Sequence, residues 1–169
     1  MTTLEEAITN AIDYETRIRD LYREAVGSTQ DPKGKKGFRA LADDEQRHID
    51  YLEAKRTQWH AEGRITVESL TSLIPTPELM ATDIERLKQT MAGEDRRDEK
   101  RMLSKALQVE VETSAFYRAM VAQMEGDARA MFARFLEIED GHIAAVQAEL
   151  DYISHTGFWF DFQEFDMEH

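Results

Sequence analysis

The chain contains no cysteine, so it can form no disulfide, no thiolate metal site and no iron centre held by four sulfurs. Proline is scarce, with three in 169 residues, and glycine numbers eight, so little interrupts long helices. Positive charge is in deficit: 21 Lys and Arg face 34 Asp and Glu, a formal net charge of −13. That balance disfavours nucleic-acid phosphate as a partner and is compatible with attracting cations, although an ordinary solvated acidic surface would account for it equally well. No apolar run approaches the ~20 residues that a spanning helix needs, so no membrane partner is expected. The opening MTTLEEAITNAIDYE shows neither a basic region nor an apolar stretch of the secretory kind, and a cytoplasmic location is the expectation. What is present, 41% hydrophobic and 33% charged residues, is the balance of one soluble globular domain with a substantial core.

Hydrophobic spacing predicts an all-α chain. From Leu4 to Val26 the residues Ala7, Ile8, Ala11, Ile12, Ile18, Leu21 and Tyr22 recur at helical intervals, and Gly27 reads as a stop. After a short polar connection containing Lys33–Lys36, a second helix is predicted from about Lys36 to His60, with Gly63 closing it. The pattern then loosens, apart from a short helix opened by Pro77 and ending near Met91. A third long helix is predicted over Asp95 to Glu125 with Gly126 as its stop, and a fourth from Asp127 to about Ser154. Residues 155–169 form a tail with aromatics at alternate positions, read as an extended strap over the bundle or a partner subunit. Short links make each sequential pair an antiparallel hairpin. A link of about thirty residues between the second and third helices can run the length of a helix of ~38 Å. The expected fold is therefore two hairpins joined by a long crossover, occupying residues 1–154.

The hairpins repeat one another. Ala11, Glu15, Tyr22 and Arg23 recur as Ala106, Glu110, Tyr117 and Arg118; Phe38, Glu45, His48 and Ile49 recur as Phe132, Glu139, His142 and Ile143. The offsets are 95 and 94 residues, and agreement in both identity and spacing over four segments is not a chance pattern. Residues three apart share a helix face, so Glu45 with His48, and Glu139 with His142, each offer an oxygen and a nitrogen to one point. Glu15 and Glu110 add a carboxylate from the neighbouring helix at the same height. Four carboxylates and two neutral imidazoles balance two divalent cations; without cations the buried acids would repel one another. Oxygen and imidazole donors suit iron or manganese and, less well, zinc.

With these motifs the chain resembles the rubrerythrin-like branch of the ferritin-like di-iron carboxylate proteins, over most of residues 4–150. The resemblance implies two iron ions held by Glu15, Glu45, His48, Glu110, Glu139 and His142, with manganese or zinc as substitutes. It also implies a reaction with O2 or H2O2 drawing on an external electron donor, a homodimer, and hydrogen bonds from Tyr22 and Tyr117 beside the metals. The chain departs from rubrerythrins that carry a rubredoxin domain, since it has no cysteine, and Thr113 and Ile18 stand where a seventh carboxylate would follow Glu110 or Glu15 by a turn. It departs from bacterioferritins because Gln46 replaces their haem-ligating methionine, so no haem is expected. Iron handling without turnover, as storage or as the cargo of a larger shell, and a metal-binding scaffold are the competing readings.

Other polar residues invite plainer expectations. Asp13, Asp44, Glu112, Glu137 and Asp140 flank the six residues off their face and are expected to be solvated. His60 and His155 fall at helix ends, and Met120, Met124 and Met131 read as core.

Overall fold

The structure, a computed structural model, describes residues 2–68, 70, 72 and 97–156. These residues form four helices and no strand: α1 (Leu4–Ser28), α2 (Pro32–Glu62), α3 (Arg97–Gln123) and α4 (Gly126–Thr156). None of them is long and apolar enough to cross a membrane. The short helix expected over 77–91 and the aromatic tail at 157–169 lie outside the described residues.

Local chemistry sets the helix ends. At the start of α1, Thr3 Oγ1 accepts from the Glu6 N–H at 3.2 Å while Glu6 Oε2 accepts from the Thr3 N–H at 2.9 Å, a reciprocal cap worth about 1 kcal/mol. Gly27 does not stop α1. The helix continues to Ser28, and Thr29 turns the chain in an extended conformation while its N–H bonds to the Ala25 carbonyl at 3.0 Å, so no left-handed residue is required. The second helix starts at Pro32 rather than near Lys36, because Asp31 accepts from the Lys33 N–H at 2.8 Å and proline tolerates the first helical position. Lys33–Lys36 is thus helical and not loop. Gly34 and Gly37 are buried there, and packing outweighs their low propensity. Gly63 closes α2 as expected, with φ 66° and its N–H on the Trp59 carbonyl. Gly126, at φ 58°, makes the turn between α3 and α4.

Contacts across the interfaces fix direction. Along α1 and α2, Glu5 meets His60, and Arg19 meets Gln46; along α3 and α4, Ser114 meets Asp140, and Val121 meets Arg129. Rising numbers on one helix face falling numbers on the other, so each pair is an antiparallel hairpin. The hairpins meet where Tyr14 stacks on Phe116 at 4.7 Å and Arg17 pairs with Glu112 at 2.7 Å, which sets α1 antiparallel to α3 as well. Helices α2 and α3 therefore point the same way.

Two apolar clusters fill the interior. One contains Ile18, Phe38, Leu41, Leu103, Val146 and Ile153; the other contains Ile8, Leu52, Met120, Met131, Phe132 and Phe135. On every helix the residues of the two clusters lie to either side of a polar layer. The chain leaving α2 belongs to the second cluster through Ile65 and Leu70. Lys55 pairs with the Glu68 carboxylate, Tyr51 donates to the Glu68 carbonyl at 3.2 Å, and Arg134 donates to the Leu70 carbonyl at 2.8 Å. This segment thereby lies across α2 and α4 beside the polar layer.

Candidate metal centre

Glu15 of α1, Glu45 and His48 of α2, Glu110 of α3, and Glu139 and His142 of α4 are all 0% exposed. They form that polar layer. Their donor atoms fall into two groups that could each hold a metal ion, one made by Glu15, Glu45, His48 and Glu139, the other by Glu45, Glu110, Glu139 and His142. Glu45 and Glu139 belong to both groups, whereas each remaining pair, a glutamate and a histidine, comes from one hairpin. The imidazole rings lie nearly parallel, 5.6 Å apart. His48 Nδ1 is 3.2 Å from Glu45 Oε2 and 3.3 Å from Glu15 Oε2; His142 Nδ1 is 2.6 Å from Glu45 Oε1 and 3.4 Å from Glu110 Oε1. Both rings therefore turn the same nitrogen toward the carboxylates.

The sequence repeat reappears as a repeat of contacts. Tyr22 donates to Glu110 Oε1 and Tyr117 donates to Glu15 Oε1, each at 2.5 Å, so each tyrosine restrains the glutamate of the opposite hairpin. Behind them Tyr22 packs on Phe38 at 6.2 Å and Tyr117 on Phe132 at 6.1 Å, tilted by 34° and 35°. Seven buried atoms of the layer nevertheless make no hydrogen bond with the described residues: both oxygens of Glu45, both of Glu139, Glu110 Oε2, His48 Nε2 and His142 Nδ1, the last lying 2.6 Å from Glu45 Oε1 without the alignment of one. A buried polar atom left in this way costs about 1–3 kcal/mol, and seven of them in one layer are tolerable if cations coordinate them. The donor set fits a pair of divalent ions, with oxygen and imidazole ligands and no sulfur.

Without metal, protons do part of the same work. Burial and the Glu15 charge raise Glu45 to about 8, and burial with the charges of Glu15, Glu45 and Glu110 pushes Glu139 well above the carboxylate range. Burial alone would lower His48, but the Glu15 carboxylate brings it to about 10; His142 is likewise raised against burial, chiefly by Glu45 and Glu110. Glu15 is the exception: burial acts to raise it, yet neighbouring Glu45 and the His48 charge bring it to about 2. Tyr22 and Tyr117 are pushed upward by burial and by the glutamates, and so remain protonated donors. Removing the His48 proton at pH 7 costs about 4 kcal/mol at 1.36 kcal/mol per pH unit. A divalent ion taking that nitrogen would have to displace the proton.

One participant escaped the reading of the sequence. Asp44, expected to be solvated, is 0% exposed. Its Oδ2 lies 2.7 Å from His142 Nε2 and accepts from Ser72 Oγ at 2.7 Å. Burial would raise its carboxyl, but hydrogen bonding and charge from His142 hold it below the ordinary carboxylate range, so it is an ionised acceptor. Its position four residues before His48, on the same helix face, was the available signal. The other flanking acids behave as expected: Asp13 is exposed, Glu112 and Glu137 pair with Arg17 and Arg134, and Asp140 accepts from Ser114 at 2.7 Å. Thr113 is buried and donates to the Val109 carbonyl at 2.8 Å, and Ile18 is core. Met120, Met124 and Met131 are core residues as well, and His60 pairs with Glu5 at 2.7 Å. Comparison with protein-family models, with curated proteins and with solved structures finds no match.

Proposed function

We propose that this chain is a ferritin-like, rubrerythrin-type protein that binds two iron ions between its four helices and uses them to reduce O2 or H2O2. The observation that carries the reading is the pair of overlapping ligand groups sharing Glu45 and Glu139. Two ferrous ions held side by side would supply one electron each, together the two electrons that take H2O2 to water or O2 to peroxide. In this reading Glu45 and Glu139 span the two positions, Glu15 with His48 completes one, and Glu110 with His142 completes the other. The tyrosines keep Glu15 and Glu110 oriented, and the two apolar clusters exclude water from the layer above and below. Turnover in this reading draws on an external electron donor. A homodimer in the cytoplasm is the accompanying expectation.

The test is anaerobic loading of metal-free protein with two Fe(II) per chain, followed by mixing with O2 or H2O2. Ferric absorbance rising faster than for the same iron free in buffer is the expected result. Two ions bound without faster oxidation would favour iron storage, the cargo of a larger shell, or a metal scaffold over an oxidoreductase. Protein that binds no iron would end the reading.

A further inference from the structure

Within the di-metal reading, on which this inference rests, we propose that the two ion positions are unequal, because Asp44, fastened by Ser72, serves the histidine of only one. The repeat that aligns Glu45 with Glu139 and His48 with His142 aligns Asp44 with Ile138, so the second hairpin has no carboxylate to offer. Asp44 lies 2.7 Å from Nε2 of His142 but 3.8 Å from Nε2 of His48. The first is a hydrogen bond and the second is beyond reach of one; His48 Nε2 has no hydrogen-bond partner.

The physical consequence follows from the chemistry of imidazole. A carboxylate acceptor behind Nε2 holds a proton there, so the nitrogen that would yield its proton to an ion is Nδ1, on the side of Glu45 and Glu110, and it raises the basicity of the ring toward a metal. His142 has this support and His48 does not. Ser72 adds the second half of the device. It belongs to the segment leaving α2, and its hydroxyl holds the same Asp44 oxygen at 2.7 Å, while Arg47 approaches the other at 3.5 Å. The segment that crosses α2 and α4 is thereby tied to the stronger metal position through one carboxylate. Asp44 and Ser72 are positioning residues: neither belongs to the two groups that share Glu45 and Glu139.

The experiment is an anaerobic Co(II) titration of the metal-free full chain, read by calorimetry and by the ligand-field bands of each ion. Wild-type protein is expected to fill in two classes. Asp44→Asn keeps the side-chain size and should weaken the tighter class about 10–100-fold while changing the other less than about threefold. Ser72→Ala should weaken the same class, and no other, by a smaller factor; it carries the test if Asp44→Asn loses its helical circular dichroism. Two ions of equal affinity in the wild type, equal losses at both positions in either variant, or a third ion that disappears in Asp44→Asn would overturn the proposal. The last would make Asp44 a ligand, as its grouping with His48 and His142 would allow. Wild-type protein that takes up no Co(II) would instead remove the di-metal reading itself, a result distinct from two equal classes.

Discussion

At Glu139 both carboxylate oxygens are buried without a hydrogen-bond partner, and burial with three neighbouring glutamates pushes the carboxyl upward. The His48 ring, 3.7 Å from Oε1, compensates a charge there only in part, so the carboxylate would gain from a cation. Glu139→Gln keeps the shape and removes the charge. Bound metal is expected to fall from two ions per chain to one or fewer, measured by elemental analysis after dialysis against equimolar iron or manganese. Stability of the metal-free protein should change by no more than about 1 kcal/mol, since burial and the neighbouring glutamates already disfavour the charged form. Retention of two ions at wild-type affinity would remove Glu139 from the shared role. At this scale the six residues were legible because each occurs in a motif that the chain repeats. Asp44 was not, because it has no counterpart in the other hairpin and looks like any acid on a charged helix until its exposure is known.

Among the elements, α4 illustrates how packing holds the layer in place. Phe135 is 0% exposed; its ring stacks on Tyr117 at 5.2 Å and meets the edge of His48 at 5.4 Å, so α4 touches α3 and α2 through one side chain. Phe135→Ala should cost about 3–5 kcal/mol by urea denaturation, because a cavity remains between three helices. The loosened His48 ring should weaken metal binding as well. A loss below about 1 kcal/mol would mean that the neighbours collapse into the gap. The existence of all four helices was readable from apolar spacing, and so was the closure of α2 at Gly63. The boundary between α1 and α2 was misjudged. The pattern of glycines and lysines after Gly27 suggested a loop, whereas the Asp31 cap and the burial of Gly34 and Gly37 make it a helix. Propensity is a local quantity, and burial overrode it.

For the whole molecule, the layer couples folding to pH and, in the di-metal reading, to metal. In metal-free protein Glu45 is raised from 4.5 to about 8 and His48 from 6.5 to about 10. Both bind a proton more tightly when folded, so their stabilisation is complete below their unfolded values and is lost as pH rises through their folded ones. Glu15, lowered to about 2, acts oppositely: its contribution is present above 4.5 and disappears toward pH 2. Metal-free protein should therefore be less stable at about pH 9 than at about pH 6.5, seen as a lower urea midpoint after treatment with a chelator. Metal-loaded protein should show the reverse dependence of affinity, since divalent ions compete with these protons and bind more tightly as pH rises. A flat or rising midpoint in the metal-free protein would contradict the packing of protonated glutamates described above. The net charge of −13 favours uptake of cations in either state.

The amino-acid order alone determined the four helices, the pairing of the glutamates with the histidines and the choice of oxygen and nitrogen donors, because each depends on spacing along a helix and on an internal repeat. Tertiary structure decided what depends on distance between helices. It placed Glu45 and Glu139 in both groups that could hold an ion, set Tyr22 on Glu110 and Tyr117 on Glu15 across the hairpins, and buried Asp44 between His142 and Ser72. Those outcomes follow from how side chains from different segments share one dry volume, and no periodicity within a single helix encodes that.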